Sequence, residues 1–199
     1  RRPEAGPQTI GPEPLHWLQH CVAYADISDH LKRAVITAED DSFTQHEGID
    51  WNAMEKAWER NAKAQAKAQA TAQVPAAKVR GGSTITQQLA KNLLLSSERT
   101  LVRKGQELLL TLLLEKLLSK QRILEIYLNN VEWGQGVFGA EAAAQHYFKK
   151  SAARLAPNEA ARLAVMLPAP KRFEKNPGSA YLSGRTRAIA GRMRNAQLP

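Results

Sequence analysis

Two glutamates and a glycine-led helix start hold the chemistry open to this chain of 199 residues. The first glutamate lies in AEDDSFTQHEG, residues 38–48, where three acids follow the apolar segment LKRAVIT and precede an aromatic ring, a histidine and a glycine. Such a triplet is a solvated helix end, a metal cluster or a base kept against a cleft. The second lies in RKGQELLLTLLLEKLLSK, from residue 103, where Arg103, Glu107, Thr111 and Glu115 recur every four residues as one polar stripe on a leucine rod. A helix apolar around most of its girth is expected to be buried. Its stripe must then pair internally, Arg103 with Glu107, or face a wet cavity. Between the two lies RGGSTITQQLAKN, residues 80–92. Gly81 and Gly82 permit close backbone approach, and Thr84 with Gln87 forms a capping box that starts a helix. A helix start behind a glycine pair offers N–H groups and a positive dipole end to an anion. Gln87, Gln88 and Lys91 then place amides and an ammonium along one face. The pattern of a phosphate-binding P-loop is missing.

Carboxylates at Glu39 and Glu107, with an anion-binding helix start between them, suggest glycosyl chemistry, in which carboxylates act as base, acid or stabiliser at an anomeric centre. With a phosphate leaving group, cations would replace the general acid. That would give Gly81–Thr84, Lys91, Arg99 and Arg103 a common purpose.

The elements that must position these groups read almost entirely as helix, with strand signals nearly absent. Helices are expected at 28–40, capped by Ser28, and from Asn52, whose capping box closes on Glu55. Residues 61–78, an Ala/Lys/Gln stretch without an apolar stripe, read as an exposed helix or mobile flap. Further helices are expected at 84–95, 99–118, 119–130, 140–148, 157–166 with Pro157 in the first turn, and 180–196. EWGQGVFG (132–139) and PAPKRFEKNPG (168–178) read as loops.

Composition narrows the function classes. The single cysteine, Cys21, excludes an internal disulfide and a cysteine-based zinc cluster. Residues 1–148 hold 17 basic and 17 acidic residues, and residues 149–199 hold 11 basic and 2 acidic, so the whole net charge of +9 is C-terminal. A basic face of this kind suits an anionic membrane surface, a phosphate-bearing substrate or nucleic acid. The longest apolar run, LLLTLLL at 108–114, is far short of a membrane span.

Five segments, in order, resemble the motifs of the peptidoglycan glycosyltransferases (family 51 glycosyltransferases): EDDSFTQHEGID, GGSTITQQLAKN, RKGQE with LLEKLLSKQRILEIYLN, GQGVFGAEAAAQHYF and NEAARLAVMLPAP. The resemblance implies a mostly α, lysozyme-like helical fold, bilobed with a cleft between lobes, on the periplasmic face of the bacterial inner membrane. It implies polymerisation of lipid II into β-1,4 glycan strands with release of undecaprenyl pyrophosphate, in one inverting displacement. On this carry-over Glu39 is the general base. Glu107 is a second essential glutamate near the donor pyrophosphate, with a divalent metal (Mg or Mn) as an option there, and no organic cofactor. Lys91, Arg99 and Arg103 hold the pyrophosphate; Ser83, Thr84, Gln87, Gln88 and Asn92 contact sugar or phosphate. Asp40, Phe43 and His46 shape the loop of the first motif. The implied partners are lipid II and the growing strand, the membrane and other cell-wall synthesis proteins, with no nucleic acid. Residues 1–27 are expected to be a loose segment after a membrane anchor lying outside this chain, 28–199 the glycosyltransferase domain, and 61–80 its mobile flap. S-x-x-K and K-T-G do not occur, so no penicillin-binding transpeptidase is expected within the chain. Two rivals are a lysozyme-like hydrolase, which needs a general acid rather than a phosphate site, and a basic helical nucleic-acid-binding module, for which the chain has few aromatic side chains.

Overall fold

The computed structural model describes residues 18–70, 82–94 and 101–199. Gly81, Arg99 and positions 71–80 of the expected flap lie outside these residues. Along the chain come β1 (Leu18–Gln19), α1 (Asp29–Glu39), α2 (Trp51–Ala70), α3 (Ile85–Leu94), α4 (Leu101–Leu117) and α5 (Lys120–Asn130). Then follow β2 (Glu132–Gly134), β3 (Val137–Phe138), α6 (Ala140–Phe148), α7 (Pro157–Met166), α8 (Pro170–Lys175) and α9 (Ala180–Arg192). The protein is mostly helical, as a lysozyme-like domain requires.

α1 begins where the Ser28 hydroxyl accepts the His30 N–H at 3.2 Å, so the expected cap is the one used. Its apolar spacing buries Leu31, Ala34 and Val35 against α7, where Ala160, Ala161 and Ala164 allow close approach. α7 starts at Pro157, and Glu159 turns back to accept the Ala156 N–H at 2.8 Å. α9 closes the other side of α7 through Leu182 and Ile189. α5 supplies Ile123, Leu124, Tyr127 and Leu128 to the same core.

Four expectations are corrected. α2 starts before Asn52: Asp50 is the cap, accepting the Ala53 N–H at 2.7 Å, and its carboxylate suits the positive end of the helix. EWGQGVFG is a hairpin rather than a loop. β3 pairs antiparallel with β2 and parallel with β1, Leu18 lying opposite Val137 and Glu132 opposite Phe138. Gly134 is needed in it, since a Cβ there would lie 2.5 Å from the Tyr147 hydroxyl and 3.0 Å from Glu174. The segment 168–178 contains α8, which is docked on β2 by two carboxylates. Glu174 accepts the Gln135 N–H at 2.9 Å, and Glu132 pairs with Lys171 at 3.1 Å.

The fourth correction matters most. The leucine rod is not buried around its girth. In α4 the polar stripe is inside, Glu107 being 3% and Thr111 0% exposed, while Leu109 is 59% and Leu117 75% exposed. The stripe can be buried because its groups are partnered. Thr111 donates to the Glu107 carbonyl at 2.7 Å, and Glu115 accepts from Thr86 and, at 2.8 Å, from Lys120. Gly48 fits tightly over this stripe. Its φ is +86°, and a Cβ there would lie 2.7 Å from the Thr111 methyl and 2.9 Å from Glu115 Cγ.

Candidate active site

α1 ends at the first motif because Asp40 leaves helical dihedrals, although its N–H still reaches the Ile36 carbonyl at 2.8 Å. The buried Asp40 carboxylate then joins three segments. One oxygen lies 2.8 Å from His46 Nε2, and the other accepts the Ile85 N–H, the first of α3, at 3.0 Å. His46 Nδ1 accepts the Gly48 N–H at 3.1 Å, which leaves the ring proton on Nε2, pointing at Asp40. The Gly48 carbonyl accepts the Thr84 hydroxyl at 2.6 Å. Thr84 also accepts the Gln87 N–H at 3.2 Å while Gln87 Oε1 accepts the Thr84 N–H at 3.0 Å, which completes the capping box read from the sequence. The helix start that sequence reasoning offered to an external anion is therefore met by the protein's own Asp40, with the Thr84 side chain committed beside it. Phe43 is wholly buried below, its ring capped by the Lys120 ammonium at 4.6 Å and set edge-on to His46.

One residue before this junction, Glu39 leaves the last turn of α1 half-buried and reaches the second turn of α3. Its Oε2 accepts from Gln88 Nε2 at 2.8 Å, and Gln88 Oε1 accepts the Tyr127 hydroxyl at 3.0 Å. Burial pushes the Glu39 carboxyl above its ordinary range, the Gln88 hydrogen bond offsets part of that rise, and the Asp40 charge adds to it. Burial likewise raises the Tyr127 phenol well above its usual value, with the Glu39 and Asp40 charges adding to the effect. The phenol therefore stays a donor.

Glu107 lies one turn before Thr111, on the stripe that Gly48 covers. Its carboxylate accepts from Lys104 and lies 3.4 Å from Arg103, whose side chain is largely buried. On α3, Lys91 and Asn92 are exposed, as is Ser83 ahead of it, and Gln87 is half-buried. The Lys91 ammonium has no partner among the described residues.

Two donor sets were tested for a divalent cation, and neither fits one as it stands. Glu107 is already met by two cationic side chains. Among the described residues the one group of three candidate ligands is Asp40, His46 and Asp50, with ligand atoms within 4.8 Å of one another. Each of those atoms is already used. Asp40 and His46 bind as above, and Asp50 accepts from Ser42 and from the Ala53 N–H. A groove of about 430 Å³ lies along α2 between Trp51, Met54, Glu55, Trp58 and Glu59, and contains none of the candidate site residues.

Sequence reasoning missed two participants. Lys104 was legible in RKGQE, three residues before Glu107 and so on the same helical face. Tyr127, one turn after Ile123 on α5, reads as core. Only its hydroxyl hinted at a polar neighbour.

Comparison with known proteins follows the same lines. A family model described as Transglycosylase matches residues 13–194. The biosynthetic peptidoglycan transglycosylase of Herminiimonas arsenicoxydans is 56% identical over 178 residues, which cover 89% of this chain and 72% of that protein. Its counterpart in Paraburkholderia xenovorans (strain LB400) is 55% identical over 183 residues, 92% of this chain and 72% of that protein. The protein of the same name in Bordetella pertussis is 52% identical over 178 residues, 89% of this chain and 71% of that protein.

The raised Glu39 carboxyl has a consequence for stability. The folded state holds that proton more tightly than the unfolded chain, so stability falls as pH rises from the ordinary glutamate value to the folded one, and the full penalty of an ionised Glu39 applies above that. The penalty fades as pH falls toward the ordinary glutamate value of about 4.3. Glu39→Gln is expected to unfold at an equal or higher urea midpoint than the parent at pH 7, with the difference closing near pH 4. A clear loss of stability at pH 7 would contradict this electrostatic reading.

Proposed function

The chain belongs to the transglycosylase family and is a peptidoglycan glycosyltransferase, and we propose that it extends glycan strands from lipid II with Glu39 as general base. The 4-hydroxyl of the acceptor sugar attacks the anomeric carbon of the donor. Its proton passes to Glu39, the new glycosidic bond forms with inversion, and the bond to the pyrophosphate breaks. Undecaprenyl pyrophosphate leaves as an anion, so cations rather than a proton donor are required at the leaving group. Lys91 and Arg103 serve there, with Arg99 assigned by the motif resemblance. Glu107 holds Arg103 and Lys104 in place beside them. Ser83, Gln87 and Asn92 line the sugar and phosphate path along α3, while the buried Thr84 sets the start of that helix instead of touching substrate, and Gln88 holds the base.

The observation that supports this reading most directly is the Glu39–Gln88 pair. A carboxyl raised by burial and fixed by one amide is a better proton acceptor at neutral pH than a solvated glutamate. A hydrolase of the lysozyme kind would need a protonated acid at this place and has no use for a set of cations at the leaving group.

The substrate is lipid-linked, and the surface suits that. No helix among the described residues is long and apolar enough to cross a membrane. Yet α4 exposes Leu108, Leu109, Leu112, Leu113 and Leu117, and α2 exposes Trp51, Met54 and Trp58. An exposed apolar surface with tryptophans suits contact with a bilayer at headgroup depth, here the outer leaflet of the bacterial inner membrane. The basic C-terminal residues, many of them exposed on α8 and α9, add attraction to anionic headgroups.

Incubation with labelled lipid II is expected to give high-mass glycan from the parent. Glu39→Gln is expected to reduce the rate by about 10³-fold, within the range of general-base contributions. Polymer from Glu39→Gln at the parent rate would refute the assignment. Replacing Leu109 and Leu113 by Gln is expected to leave the unfolding midpoint unchanged and to lower cosedimentation with phosphatidylglycerol vesicles several-fold, since each leucine gains roughly 1.5–3 kcal/mol on full burial. Unaltered vesicle binding would place the membrane contact elsewhere.

A further inference from the structure

We propose that Tyr127 is a positioning residue of the transfer reaction. It acts through Gln88 to keep Glu39 Oε2 occupied by a donor and to leave Oε1 as the oxygen that takes the acceptor's proton. The inference rests on Glu39 being the base, and it goes further by naming which oxygen acts and what fixes it.

One hydrogen-bond chain links the three side chains. An ionised carboxylate only accepts, an amide has one donating and one accepting end, and a phenol does either. With Glu39 ionised, Gln88 must turn its NH₂ toward Oε2, as it does at 2.8 Å. Its carbonyl oxygen then faces Tyr127, whose hydroxyl must donate, as it does at 3.0 Å. Tyr127 is 1% exposed, and among the described residues Gln88 is its hydrogen-bond partner. Among the described residues nothing donates to Glu39 Oε1.

A proton arriving on Oε1 leaves the whole chain intact, because Oε2 still accepts from Gln88. A proton arriving on Oε2 would set two donors face to face. Gln88 would have to turn over and the Tyr127 hydroxyl would have to reverse. The buried phenol makes one orientation of the amide the resting one, so no dipole needs to reorganise during proton transfer. Tyr127 sits on α5, and Gln88 on α3. The chain therefore also ties the base on α1 to two other helices, independently of Asp40.

The test is Tyr127→Phe in the full chain, assayed by lipid II polymerisation across pH. The expected result is a kcat lower by about tenfold, a KM for lipid II within about twofold of the parent, and an acid limb of kcat/KM displaced to higher pH because Glu39 has lost a well-held donor. A purely structural role would lower active fraction without moving that limb. In a Gln88→Ala background the same substitution is expected to change kcat by less than about twofold, since the path through the amide is already cut. Should Tyr127→Phe not fold, Gln88→Ala alone carries the test, because it must displace the acid limb in the same direction. An unmoved limb in these variants, or a Tyr127→Phe effect as large without Gln88 as with it, overturns the proposal. Activity retained by Glu39→Gln would remove the base itself. Loss of activity in Glu39→Gln with an unmoved limb in Tyr127→Phe would remove only the relay.

Discussion

One carboxylate holds the site together. Asp40 ends α1, receives His46 and accepts the first N–H of α3, so the end of one helix and the start of another are fixed to the same two oxygens. Placed at a helix N-terminus and buried, that anion gains from the dipole as well as from its hydrogen bonds. The placing of Glu39 and Gln88 follows from the joint. Glu39 is the preceding residue, so its direction is set by where Asp40 is held. Gln88 stands one turn along from Thr84, whose hydroxyl and backbone are locked through Gly48 and Gln87. The 2.8 Å contact between Glu39 and Gln88 is thus built by a loop and two helix ends rather than by the two side chains alone.

The second organising feature is an inversion. α4 turns its charged stripe inward and its leucines outward. In water alone this would be an unfavourable arrangement, but each buried polar group is partnered: Glu107 by Lys104 and Arg103, Glu115 by Thr86 and Lys120. The exposed leucines are what a surface resting on lipid requires. The same helix that carries Glu107 so presents an exposed apolar side.

The sequence was most informative where local chemistry decides structure. Ser28, Thr84 with Gln87, and Pro157 each marked a helix start that the fold uses. It was least informative where long-range partners decide. Asp40 read as a loop-shaping residue, and nothing local shows that it reaches Ile85, 45 positions away. The leucines of α4 read as core because hydrophobicity alone cannot distinguish a buried face from an exposed apolar one. The strands β2 and β3 are three and two residues long, too short for alternation to register, and Tyr147 and Glu174 from elsewhere brace the hairpin at Trp133 and Gln135. Tyr127 is buried beside Ile123, Leu124 and Leu128, and its hydroxyl acquires meaning only beside Gln88.

The central claim is that a half-buried Glu39, ionised and held by one amide, accepts the proton of the attacking hydroxyl. The pH dependence of kcat/KM for the parent enzyme on lipid II measures the free enzyme's base directly. The account predicts an ascending limb whose midpoint lies above the ordinary glutamate value of about 4.3. A rate that stays flat down to that value, or a limb centred below it, would contradict the account.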